Sequence, residues 1–256
     1  MKLKTGFTLI ELLVSVAIIA TLFAMSLPVY RKVKIAASGP IAANTLNQLR
    51  IAGQMYQSDN NGQYWKYVDP VAGGNAWWFG FETSASASLP EGQRSYDVKG
   101  GTLGRYIGGA TSGVGVDPAY SMYGGTLKAK FKNGPIGYGY NVLLARSGSE
   151  PSMFGWIGFG SPQTVDSIQN PSQVVVFCTS AQVNTFQAPA STSNPMIEEF
   201  VGIDEYNTTI HYRFGDRAMA VFADGQIGYV PIDLSTLDNK MPNAKIGKLA
   251  AKYLGL

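Results

Sequence analysis

The chain has 256 residues, of which 14% are charged and 45% hydrophobic, a balance that excludes a disordered polyelectrolyte and a multi-span membrane protein. Lys+Arg 20 against Asp+Glu 17 leave a net charge of +3, with no basic cluster interleaved with aromatics, so nucleic acid is not an implied partner. One cysteine excludes an intramolecular disulfide framework and a Cys-based zinc site, and one histidine excludes a cluster of His ligands.

The first element is apolar. Between Thr5 and Tyr30 the only charge is Glu11. Phe7 to Val29, read as a helix at 1.5 Å per residue, spans about 35 Å and so crosses a hydrocarbon core of about 30 Å. Lys2 and Lys4 precede it, as in a secretory signal, but the run is longer than a signal core and no small-x-small cleavage site follows Pro28. Arg31, Lys32 and Lys34 on the far side nearly balance Lys2 and Lys4, so charge does not settle the orientation. Glu11 lies about one turn into the apolar helix, where a carboxylate costs several kcal/mol unless paired. Two readings stand: a glutamate that snorkels to the headgroups, or one that meets a positive charge that no Lys or Arg of the segment can supply.

The stretch Lys4-Thr5-Gly6-Phe7-Thr8-Leu9-Ile10-Glu11-Leu12-Leu13-Val14 resembles the prepilin signature of type IV pilins and type II secretion pseudopilins. The resemblance implies cleavage after Gly6 by a membrane prepilin peptidase and N-methylation of the new amino terminus, Phe7. It also implies that Glu11 pairs with the Phe7 ammonium of a neighbouring subunit during assembly, so that cleavage itself creates the missing cation. It covers about 30 residues, and every functional position of the motif is filled.

A second helical stretch follows. Ala42, Leu46, Leu49, Gly53 and Tyr56 recur at 4-3-4-3 spacing, which puts them on one face and predicts a helix packed on its own domain core. Pro28 and Gly39-Pro40 predict kinks or local melting, and Ser58-Asp59-Asn60-Asn61-Gly62 predicts the stop. Residues 65–135 are rich in Gly, Ser and aromatics and predict short strands and decorated loops, with turns at Gly73-Gly74, Gly100-Gly101, Gly108-Gly109 and Gly124-Gly125. Trp77-Trp78-Phe79 reads as half core and half surface, or as an exposed contact or sugar-binding patch.

From Pro135 the pattern is β. Ile136-Gly137-Tyr138-Gly139-Tyr140-Asn141 alternates, Phe154 to Phe159 reads as a short aromatic strand, and Pro171 to Cys178 reads as a strand covered on both faces, with Cys178 a small buried residue. Arg217 to Ala223 and Gln226 to Val230 read as a hairpin closed by a two-residue type I′ turn at Asp224-Gly225. Asp216 and Asp224 are candidate oxygen ligands for calcium, although the spacing is not that of an EF-hand and a turn aspartate explains itself; a structural hydrogen bond is the simpler role for His211. Glu198-Glu199 and Asp204-Glu205 read as solvated faces. The tail from Asp238 to Leu256 reads as a short helix or a fraying end.

The fold these elements predict is α+β: a long N-terminal helix, half membrane and half amphipathic, packed on an antiparallel β-sheet head. The divisions are a leader at 1–6, a transmembrane and assembly helix at 7–29, an amphipathic helix at 30–60 and a β-rich head at 61–256 with its insert at 65–135. No nucleophile elbow, P-loop, zinc motif or triad points to an enzyme. The expected function is structural: a subunit of a type IV pilus-like or type II secretion pseudopilus filament. Its partners would be other pilin-like subunits, the prepilin peptidase, the inner membrane and an assembly platform. The precursor would span the inner membrane once, with its head in the periplasm, and the filament would be periplasmic or at the cell surface. The alternative is an enzyme or carbohydrate-binding ectodomain tethered by the same anchor.

Overall fold

The computed structural model describes residues 8–107, 120, 127–132, 136–145 and 161–255, and within the first helix only the backbone of residues 27–29, 31 and 32. The leader, Gly6, Phe7, Gly108-Gly109, Gly124-Gly125 and the aromatic strand expected at Phe154 to Phe159 lie outside the described residues. The architecture is α+β, as the pattern of elements predicts.

One helix, α1, runs from Leu9 to Asp59 without interruption. The melting expected at Pro28 and at Gly39-Pro40 does not occur. Proline removes one donor and frees the carbonyl four residues back; for Pro40 that carbonyl is on Ala36, an exposed residue, so water can take it. The stop falls where the breaker cluster puts it. Asn61 and Gly62 adopt left-handed backbone (φ 53° and 75°), and the Gly62 N–H returns to the Gln57 carbonyl at 2.8 Å.

The insert opens with a meander of β1 (Val68–Val71), β2 (Gly74–Trp77) and β3 (Gly80–Thr83), paired antiparallel in that order, with Gly73 at φ 87° in the first turn, and a single turn of helix α2 (Ser84–Ala87) follows. Further strands are β4 (Leu127–Lys128), β5 (Tyr138–Asn141), β6 (Val175–Thr179), β7 (Gln182–Asn184), β8 (Met196–Glu198), β9 (Gly202–Ile203), β10 (Ile210–His211), β11 (Arg217–Phe222), β12 (Ile227–Pro231) and β13 (Ile246–Gly247). The central sheet has the order β12-β11-β6-β5-β9. It is antiparallel except at its edge, where β5 and β9 run parallel. A smaller sheet has the order β4-β8-β7, its first pair also parallel.

The amphipathic half of α1 lies on the central sheet. Ala42, Leu46, Leu49 and Ala52 are buried with Trp65, Trp78, Tyr138, Tyr140, Phe177, Met219 and Val221 in the main core. Ala218 and Ala220, the alternate residues of β11, face a second core with Val175, Cys178 and Val230, closed by Leu249 and Leu254. All four residues of β5 are buried, because the sheet is covered on both faces. Asn141 earns its place there by donating to the Val175 and Leu254 carbonyls (2.9 and 3.2 Å) and accepting from the Leu143 N–H at 3.1 Å. The tail is docked rather than frayed: β13 pairs with β10, and a last turn of helix, α3 (Ala251–Leu254), supplies Leu254.

Candidate assembly site

From Leu9 to Ser26 every side chain of α1 is exposed, and this is the one stretch among the described residues long and apolar enough to cross a membrane. Its hydroxyls are compatible with hydrocarbon, where an unpaired polar group costs several kcal/mol. Ser15 donates to the Glu11 carbonyl at 2.7 Å, Thr21 to Ala17 at 2.8 Å and Ser26 to Phe23 at 2.9 Å. Each hydroxyl is thus closed on its own helix.

Glu11 is the third residue of α1 and has a local partner that the search for a basic residue overlooks. The Thr8 N–H and hydroxyl both donate to Glu11 Oε2 (2.9 and 2.7 Å), and the Glu11 N–H donates back to Thr8 Oγ1 at 3.3 Å. This reciprocal capping box satisfies donors that a helix start leaves orphaned. Its signal is legible as Thr8-x-x-Glu11 immediately before an apolar run. A carboxylate at the first turn also lies at the positive end of the helix dipole. Gly6 and Phe7, the expected cleavage and methylation positions, immediately precede this cap and lie outside the described residues.

The head resolves the other candidates. Trp78 and Phe79 are core residues and Trp77 is half-buried, so the run is half core and half surface rather than an exposed patch. Cys178 is fully buried in β6, and burial pushes its thiol up to about 12. His211 is fully buried; its Nδ1 lies 3.1 Å from Arg213 Nη1, and desolvation, then the Arg213 charge, hold the imidazole neutral, well below its usual range. Asp216 precedes β11 and is ion-paired with Lys245, whereas Asp224 follows β11 and accepts from the Gln226 N–H at 2.9 Å. The two candidate calcium ligands thus lie at opposite ends of a six-residue strand and are not brought together. The turn at Asp224 also differs from expectation. A type I′ turn needs positive φ at both central residues, but only Gly225 has it (φ 86°), and the Gly225 N–H closes on the Phe222 carbonyl at 2.9 Å. The loop is three residues, Ala223 to Gly225, with glycine at its left-handed position.

The acidic pairs are not solvated faces. Glu198, Glu199 and Asp204 are buried. Asp204 organises its own loop, accepting from the N–H groups of Tyr206 and Asn207 at 2.8 and 2.7 Å. Glu198 and Glu199 belong to a buried ionic cluster that joins the 82–94 segment to the smaller sheet. Arg94 binds Glu82 with two bonds of 2.8 and 2.7 Å, Lys128 pairs with Glu91 and, at 3.4 Å, with Glu198, and Lys130 Nζ lies 3.3 Å from Glu198. Glu199 accepts the N–H groups of Lys130 and Phe131 (2.7 and 3.1 Å), but desolvation outweighs them and raises its carboxyl to about 7. Sequence reading missed this cluster because its members are spread from residue 82 to residue 199, and nothing in their local pattern announces convergence.

Residues 1–27 match the family model of the prokaryotic N-terminal methylation motif, the signature of type IV pilin-like prepilins. No curated protein and no solved structure matches the chain.

Proposed function

We propose that the chain is a structural subunit of a type IV pilus-like or type II secretion pseudopilus-like filament, made as a membrane-anchored precursor, cut after Gly6 and N-methylated at Phe7. The observation that carries this reading is the methylation motif at residues 1–27 lying on an apolar helix that the head leaves wholly uncovered. Such a helix needs a bilayer around it, or else neighbouring helices. Extraction into a filament exchanges the first for the second, with Leu, Ile, Val and Ala supplying the packing. In the precursor, Thr8 holds the Glu11 carboxylate. Cleavage after Gly6 places a free ammonium one residue before that cap, and a neighbour's ammonium offers Glu11 a charge-assisted partner in place of a hydroxyl. A buried ion that is satisfied only in register selects the stagger between subunits. The partners are then the prepilin peptidase, other pilin-like subunits and an inner-membrane assembly platform, with the head on the periplasmic side. The head acts as structure, not as catalyst.

Mass spectrometry of the mature protein tests the reading together with Glu11→Ala. The mature chain should begin at N-methylated Phe7, and the variant should be cut normally yet fail to enter filaments. An intact Met1, or normal filaments from the variant, would reject it.

A further inference from the structure

Lys128 is only 5% exposed, on a strand of two residues, and carboxylates meet its ammonium from two sides. Glu91 Oε2 is in direct contact with Nζ, and Glu198 Oε1 lies 3.4 Å away. Backbone pairing fixes both approaches. In the parallel β4–β8 ladder Lys128 is opposite Glu198. The segment that carries Glu91 is sewn to the 128–132 segment: the Gly92 N–H donates to the Lys130 carbonyl at 2.9 Å and the Lys132 N–H to the Arg94 carbonyl at 2.8 Å. Gly92, in left-handed backbone at φ 82°, makes the turn that brings Glu91 inward. Glu198 is held by its other oxygen, which accepts from Gln182 Nε2 at 2.8 Å and from Asn184 Nδ2, so Oε1 faces the lysines.

We propose that this is a modification site, at which Lys128 and Glu91 condense to an intramolecular isopeptide bond with Glu198 relaying the proton. The reactants are the ammonium and the carboxylate of one ion pair. In the first step a proton passes from the ammonium to the Glu91 carboxylate, which leaves a neutral amine facing a neutral acid. The neutral amine then attacks Cδ of Glu91. The Nζ–Cδ bond forms, Glu198 takes a proton from nitrogen and delivers it to the departing oxygen, and the Cδ–O bond breaks with release of one water. Charge and atoms balance, Glu198 is regenerated, and no oxidant or second reactant is required. Condensation is unfavourable between free groups in water, but well-oriented intramolecular reactions reach effective molarities of about 10⁵ M. The product removes one cation and one anion from the interior. It also ties the loop at Glu91 to β4, an edge strand of the smaller sheet, across residues 91 to 128. With a single, buried cysteine the chain has no disulfide of its own to do so. The inference is independent of whether the chain polymerises.

Peptide mapping of the full-length protein tests it. Wild type should yield a branched peptide joining the segments around Glu91 and Lys128, lighter than their sum by one water, with no cleavage by trypsin at Lys128. Lys128→Arg, which keeps the ion pair but cannot condense, should return two linear peptides. Glu198→Gln should slow the condensation about a hundredfold or more. Recovery of both linear peptides in full yield from folded wild type overturns the bond, whether or not the variants fold. Condensation at the wild-type rate in Glu198→Gln overturns the relay.

Discussion

A glutamate that accepts two backbone N–H bonds is ordinarily held ionised, yet Glu199 is pushed the other way, because burial costs its charge more than Lys130 and Phe131 return. Its carboxyl rises from 4.5 to about 7, so the folded protein binds a proton that the unfolded chain has released across that window. Stability from this group is therefore complete below pH 4.5 and lost as pH rises through about 7. His211 works in the opposite sense: its folded imidazole is held well below 6.5, so its contribution is lost as pH falls. The total pH profile mixes the two, and Glu199→Gln isolates the first. Gln keeps an acceptor for the same N–H groups, so at pH 4 the variant should melt with wild type, and at pH 8 it should be the more stable, by on the order of 3 kcal/mol. A gap between the two melting curves that does not change with pH removes the cause assigned here. At this scale the sequence speaks unevenly. The capping box of Thr8 and Glu11 is four consecutive residues and can be read directly, whereas the burial of Glu199 depends on residues about 70 positions earlier.

At the scale of elements, the seat of α1 on the head turns on Gly53. A Cβ there would lie 2.7 Å from Cη2 and 2.9 Å from Cζ3 of Trp65, closer than side chains approach. Trp65 cannot retreat, being stacked on Tyr140 and Phe177 with ring centroids 4.8 and 5.5 Å apart. In an exposed helix Gly→Ala stabilises by about 1 kcal/mol, but overpacking a filled core costs about 1–3 kcal/mol. With both walls fixed the second effect wins, so Gly53→Ala should lower Tm by a few degrees and Gly53→Val by more. An unchanged or raised Tm for Gly53→Ala would mean that the helix stands off from Trp65. The 4-3-4-3 stripe predicts which face of α1 is buried, and the structure buries Ala42, Leu46, Leu49 and Gly53 on it. Where the local pattern misleads, the reason is tertiary. Alternation at Tyr138 to Asn141 suggests one exposed face, but α1 and the tail cover both. Ile246, Leu249 and Tyr253 look like a weak helix, yet Ile246 is drawn into a strand by β10. Asp224-Gly225 marks the right hairpin but not its loop, since the register of β11 on β12 leaves three residues to turn.

Over the whole molecule, one helix serves two environments, and the boundary between them can be placed by burial. No side chain from Leu9 to Ser26 touches the head's core, and among the described side chains of α1 the first packed against it is Ile35. A chain that starts at residue 30 should therefore keep the head's stability and lose only membrane attachment. A chain that starts at residue 54 loses Ala42, Leu46, Leu49 and Ala52 from a core in which all four are fully buried. The two leucines alone account for about 1.5–3 kcal/mol each in transfer terms, and their removal also bares Trp65 and Phe177. That approaches the entire stability of a domain, about 5–15 kcal/mol. Calorimetry and gel filtration should show the first truncation as a soluble, cooperatively melting monomer and the second as unfolded or aggregated. Were the first to melt well below the parent chain in detergent, the apolar half of α1 would be stabilising the head through contacts of its own, and the division of this helix into an uncovered apolar half and a folding half would be wrong.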